Sequence, residues 1–139
     1  MAIMDYRLEF CDATAVSGAV ATTVRGNVLD LGVNAKNYGA GTPVYLHVRM
    51  NTIAAGKVTA TMAMYLQDAR TNIAASFANI LTIKSAATPV ATEYALGKVI
   101  YNGILPAGIT LKQYIRLVTT IAGSPVTAGR VDAWLDLSD

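Results

Sequence analysis

Apolar and polar residues alternate one by one along several stretches of this chain, and that two-residue period constrains its fold more than any other feature. Between residues 44 and 50, Val44, Leu46, Val48 and Met50 alternate with Tyr45, His47 and Arg49. Successive side chains of a strand point to opposite faces, whereas a helix repeats its buried stripe every three to four residues. The pattern therefore predicts a strand with one face in a core. The next run repeats it, with Val58, Ala60, Met62, Met64 and Leu66 alternating with Thr59, Thr61, Ala63, Tyr65 and Gln67. The link over residues 51–57, with its Gly56, suits a hairpin loop between the two. Near the C-terminus Val131, Ala133, Leu135 and Leu137 alternate with Arg130, Asp132, Trp134 and Asp136. Before them, residues 114–121 place Ile115, Leu117, Thr119 and Ile121 on one face and Tyr114, Arg116, Val118 and Thr120 on the other. Gly123-Ser124-Pro125 separates these last two strands. Shorter candidates cover residues 27–31, 78–83 and 94–101, the last followed by the turn-rich Leu105-Pro106-Ala107-Gly108. A rival reading is a helix over residues 69–83, where Ile73, Phe77, Ile80 and Leu81 fall near one stripe.

Composition agrees with strands. Ala, Thr and Val supply 51 of the 139 residues, and the branched β-carbons of Thr and Val fit a pleated surface. A chain this long makes one domain and can bury about two-thirds of its extended surface, so it needs no disulfide or metal staple. Seven or eight short strands with turn signals, no repeat and no linker predict an all-β, single-domain antiparallel β-sandwich of jelly-roll type. Residues 13–23 (ATAVSGAVATT) are small, uncharged and without alternation. They predict an extended N-terminal strand or arm over residues 1–23 that serves contacts between chains, with residues 24–139 forming the sandwich.

Charge narrows the partners. Charged residues are 14% of the chain, against about a quarter in an ordinary soluble protein, which is little for a solitary monomer. Stretches free of Asp, Glu, Lys and Arg reach only 13 residues, short of the about 20 that a spanning helix needs, so no membrane partner is expected. The net charge of +2 rests on singly dispersed residues that form no stripe for a phosphate backbone, so no nucleic acid is expected either. The first residues carry Asp5, Arg7 and Glu9 where a signal peptide needs an apolar core, which predicts a protein made in the cytoplasm, where thiols stay reduced.

Few residues can carry catalysis. One cysteine, Cys11, and one histidine, His47, cannot form an internal disulfide or supply a zinc set within one chain. His47 falls on the less buried side of its strand and reads as a surface or interface histidine. Cys11 has no CxxC partner and no adjacent helix start, and reads as a small buried or interfacial residue. Gly39-Ala40-Gly41 leads into Thr42-Pro43-Val44, a strand entry, where a phosphate cradle needs a third glycine and a helix. Asp132 and Asp136 share a strand face about 13 Å apart, too far to act on one sugar bond, and read as solvated or pairing charges. No enzyme activity, cofactor or metal is therefore expected. Seven tyrosines and Trp134 suit either a sugar platform or a wet protein interface. The residues expected at a protein interface are Tyr6, Leu8, Phe10, Tyr45, Tyr114, Arg116 and Trp134.

Several short segments, taken in order and spacing, carry a resemblance. They are Leu8-Glu9-Phe10-Cys11-Asp12-Ala13, Asn27-Val28-Leu29-Asp30-Leu31-Gly32, Gly41-Thr42-Pro43-Val44-Tyr45-Leu46, Leu105-Pro106-Ala107-Gly108, Tyr114-Ile115-Arg116-Leu117 and Ala128-Gly129-Arg130-Val131-Asp132-Ala133-Trp134-Leu135. Across nearly the whole chain this pattern resembles the small capsid cement, or decoration, proteins of tailed bacteriophages, in the group that forms jelly-roll trimers. The resemblance implies a non-enzymatic virion component on the outer capsid surface, made in the host cytoplasm. It also implies a homotrimer that binds the major capsid protein and braces neighbouring coat subunits. It transfers no catalytic residue. The competing expectation is a carbohydrate- or receptor-binding sandwich module of a phage particle, because one fold hosts both functions.

Overall fold

The computed structural model describes residues 9–30, 45–87, 90–104 and 112–136. They form strands β1 (Glu9–Ala15), β2 (Thr22–Asp30), β3 (Tyr45–Gly56), β4 (Thr61–Ala69), β5 (Ala78–Ala87), β6 (Val99–Ile104), β7 (Tyr114–Ala122) and β8 (Val126–Asp136). A single helical turn, α1 (Val90–Glu93), precedes β6, and a 3-10 turn at Ala74–Ser76 precedes β5. Antiparallel pairing joins β1 to β8, β2 to β7, β3 to β6 and β4 to β5, which describes one long hairpin. Rolled up, that hairpin brings β8 beside β3 and β7 beside β4. Two four-stranded sheets result, in the orders β1-β8-β3-β6 and β2-β7-β4-β5, the arrangement of a jelly-roll sandwich.

The alternating residues supply the space between the sheets. Leu46, Val48 and Met50 of β3 and Val131, Ala133 and Leu135 of β8 face Met62, Met64 and Leu66 of β4 and Ile115, Leu117 and Ile121 of β7, all buried. Val44, Leu137 and the segments around Gly39-Ala40-Gly41 and Leu105–Gly108 lie outside the described residues. Val118, expected to face outward, is nevertheless buried beside its cross-strand neighbours Val24 and Tyr65.

Other expectations change once the strands are paired. β3 and β4 do not form a hairpin, because they lie in opposite sheets. β3 runs on through residues 51–56, and the turn is only residues 57–60, closed by the Ala60 amide donating to the Lys57 carbonyl (2.9 Å). Val58 sits at its tip, 82% exposed, and not in the core. The strand expected over 94–101 starts at Val99. Tyr94 instead follows α1 and closes the core, its hydroxyl donating to the Met62 carbonyl (2.6 Å). No helix spans residues 69–83, where Thr71, Asn72 and Asn79 favour turn and strand over helix.

Residues 9–23, expected in an arm apart from the core, belong to the sandwich. β1 is hydrogen-bonded along β8, and Phe10, Cys11 and Val16 are fully or almost fully buried. The buried Arg25 side chain fastens the stretch that follows β1. Its Nη1 donates to the Ala15 and Ser17 carbonyls (both 3.1 Å), its Nη2 to the Val16 carbonyl (3.0 Å) and its Nε to Thr119 Oγ1 (2.8 Å). Four bonds offset much of the desolvation of a cation that has no paired carboxylate among the described residues. Gly18 then pairs with Val126, and Thr59 Oγ1 meets Ser124 Oγ at 2.6 Å, so the links after β1, β3 and β7 form one knitted end. Two backbone positions here take positive φ, and only the first requires its residue type. Gly26 bends β2 at φ 73, and a Cβ on it would collide with the Phe10 carbonyl. Ala13 takes φ 47 at a β1 bulge, where its amide donates to Asp132 Oδ1 (2.7 Å).

Candidate functional site

The outer face of the β1-β8-β3-β6 sheet is built in cross-strand rows. Residues directly opposite on antiparallel strands share a face. One row runs Glu9, Trp134, His47, Asn102, the next Asp136, Tyr45, Ile104, and a third Asp132, Arg49, Val99. Stacking follows from that register. The His47 and Trp134 rings lie 5.1 Å apart, centroid to centroid, and His47 and Tyr45 lie 6.5 Å apart. The Arg49 guanidinium sits 5.7 Å from the Trp134 ring.

Between β3 and β6 this face sinks into a groove of about 210 Å³ lined by His47, Val48, Arg49, Val99, Tyr101, Asn102 and Trp134. The irregular step in the ladder between Val48 and Arg49, opposite Tyr101 and Val99, parts the two strands there. Polar groups at its edge divide into engaged and available. Asp132 is nearly buried, accepts from the Ala13 amide and from Asn51 Nδ2 (3.3 Å), and stands 3.6 Å from Arg49 Nε. Asp132 is therefore a structural acceptor for the β1 bulge, which corrects its reading as a solvated charge. Arg49 is 58% exposed, and among the described residues its Nη atoms make no hydrogen bond. His47 Nε2 is buried, has no hydrogen-bond partner among the described residues and lies 4.0 Å from Asp136 Oδ2.

The outer face of the β2-β7-β4-β5 sheet is different. Arg116 lies 3.8 Å from the Phe77 ring centre and donates from Nε to Gln67 Oε1 (2.9 Å), and Gln67 Nε2 donates to Asn79 Oδ1 (2.8 Å). Burial lowers the proton affinity of Arg116 from the ordinary arginine value. Tyr114 accepts from Gln113 Nε2 at 3.4 Å. These side chains hold one another in a flat lattice.

The expected interface residues thus separate. Tyr45 and Trp134 come together with His47 on the first face, while Tyr114 and Arg116 belong to the opposite one. Phe10 is a core residue with no exposed surface, which corrects its reading as an interface residue: β1, at the edge of its sheet beside β8, turns that ring toward the opposite sheet. Tyr6 and Leu8 lie outside the described residues. Arg49 and Asn102 were not anticipated, whereas Tyr101, one of the seven tyrosines, stands opposite Val48 and packs against the core. Arg49 was legible, being in phase with Tyr45 and His47, but Asn102 reaches the groove only through the β3–β6 pairing. His47 is half-buried within its stack and not simply on the surface. Cys11 is a buried free thiol, as one of its two readings had it, donating to the Arg25 carbonyl (3.5 Å), and burial pushes its pKa from 9.0 up to about 12. No set of three potential metal ligands occurs among the described residues.

No described helix is long and apolar enough to cross a membrane. A search of curated proteins finds no match to the chain. A family model named Bbp16 does match it, over residues 10–135. Because that match runs from within β1 to within β8, the chain belongs to the Bbp16 family.

Proposed function

We propose that this protein is a structural component of a phage particle that binds the outer surface of the capsid and stabilises contacts between major capsid subunits, acting as a homotrimer and without chemistry. The observation that carries this reading is the first sheet face, where Tyr45, His47 and Trp134 form a stacked aromatic row with Arg49 beside it. Interfaces favour such aromatic residues and Arg over Lys and Glu. The family name, of phage type, and the resemblance to cement proteins support the same reading. A capsid lattice presents each contact many times, so modest contacts sum to firm attachment. Binding to the shell but not to its free subunits shifts assembly toward the shell. The test is to prepare capsids lacking this protein, measure melting and genome retention, and add it back at low and high salt. Restored stability that salt weakens only modestly is the expected result. Unchanged stability on saturated binding overturns the brace. Light scattering tests the trimer, which a monodisperse mass near 14.6 kDa would refute.

The groove between β3 and β6 favours a second reading, a carbohydrate- or receptor-binding module of a phage particle. Trp134 supplies ring surface there, and Arg49 and Asn102 supply polar groups beside it.

A further inference from the structure

We propose that the β3–β6 groove is a binding site for one acidic sugar ring, a six-membered ring carrying a carboxylate such as a uronate. The proposal rests on the carbohydrate-binding reading and narrows it to a ligand class. The groove, at about 210 Å³, is smaller than the roughly 300–1,000 Å³ of pockets for drug-sized ligands, so it takes a single ring and not a buried chain.

Three observations select the chemistry. The first is Arg49. Its acidic neighbour Asp132 already accepts from the Ala13 amide and Asn51, and approaches Arg49 only at Nε and only to 3.6 Å. That distance exceeds a good hydrogen bond, and the Nη atoms of this mostly exposed side chain make none among the described residues, so they are open to a carboxylate, whose geometry their fork matches. The second is Trp134 beside Asn102, whose side chain makes no hydrogen bond among the described residues. Ring surfaces take the apolar C–H side of a sugar, and an amide, both donor and acceptor, takes hydroxyls. The third is the sign of the surroundings. Glu9, Asp132 and Asp136 stand on the same face and oppose every negative charge on a ligand, so a polyanion or a phosphate is disfavoured more than a ligand whose single carboxylate meets the Arg49 fork.

Trp134 is the single tryptophan of the chain, so its fluorescence reads the site directly. Purified protein is titrated with galacturonate and glucuronate, with galactose and glucose as neutral counterparts, and with acetate as the carboxylate without a ring. Saturation-transfer NMR on the same samples detects binding that leaves the fluorescence unchanged. The expected result is saturable uronate binding with a Kd on the order of 1 mM, with neutral sugars about tenfold weaker or more. Arg49→Ala should reduce uronate binding to the neutral-sugar level, and Asn102→Ala should weaken both. Equal binding of uronates and neutral sugars, unaffected by Arg49→Ala, overturns the acidic selectivity and leaves the carbohydrate reading standing. Acetate binding as well as the uronates overturns the ring site. No signal from any sugar by either method up to about 100 mM, a hundred times the expected Kd, overturns both the proposal and the reading beneath it.

Discussion

Arg25 and Arg49 lie in two regions that treat the same side chain in opposite ways. At the knitted end of the sandwich, Arg25 is buried and directs four hydrogen bonds to oxygens of residues 15, 16, 17 and 119. Beside the β3–β6 groove, Arg49 is mostly exposed, and its Nη atoms make no hydrogen bond among the described residues. Burial explains the difference. A guanidinium without water must find acceptors in the protein or destabilise it, so the chain supplies three carbonyls to Arg25; an exposed one keeps its water and its capacity to exchange that water for a ligand. The first region fastens the fold and the second stays open for recognition.

The largest expected effect tests whether the first region is structural at all. Phe10→Ala should lower the free energy of unfolding by about 3–5 kcal/mol, measured by urea denaturation, because it empties a fully buried site in β1. A change below about 0.5 kcal/mol, the size of an ordinary surface substitution, would return residues 9–16 to a detached arm. Next, Arg25→Met should cost about 3 kcal/mol by leaving buried carbonyls without donors, with Arg25→Lys recovering part of the loss through one ammonium but not the fork. If Arg25→Met is harmless, the guanidinium does not fasten the segment and the contrast with Arg49 disappears.

A smaller effect depends on pH. The buried Cys11 thiol has its pKa raised from 9.0 to about 12, so between those values the folded chain holds a proton that the unfolded chain releases. Stability from this group is therefore complete below about pH 9 and falls as pH rises toward 12, by about 1.4 kcal/mol per unit at most. The difference in urea midpoint between the natural chain and Cys11→Ala should shift against the natural chain across pH 9 to 10.5. A constant difference would place the thiol in contact with water. The smallest effect is expected at the groove: Arg49→Ala should change stability by less than about 0.5 kcal/mol in the same assay. A loss comparable to that of Arg25→Met would mean that Arg49 is tied to Asp132 as a structural pair, leaving the groove without its donor.

The inward sets of β3, β4, β7 and β8 were legible because alternation is a local property of one strand. Met62, Met64 and Leu66 are buried as their spacing requires. Partnerships were not legible in the same way. Residues 51–57 read as a hairpin loop because Gly56 stands there, yet β3 continues through residues 51–56 and pairs with β8, 70 or more positions away. The small residues 13–23 read as an arm because they lack alternation, but a bulge at Ala13, the bend at Gly26 and the reach of Arg25 hold their described course against the core. Of the site, Tyr45, His47, Arg49 and Trp134 could be placed on outward faces from spacing alone. Their meeting with one another and with Asn102 could not.

What this chain's residues determine by themselves is the all-β class, the strands' buried sides and the scarcity of charge, since each is set by neighbours along the chain or by counting. Only the tertiary structure decided that the hairpin rolls into two sheets, that Tyr114 and Arg116 lie on the opposite face from Trp134, and that one arginine is consumed by the fold while another faces a groove. Side-chain direction repeats every two residues and is written locally, whereas register joins strands distant in sequence and is settled by the packing of the whole core.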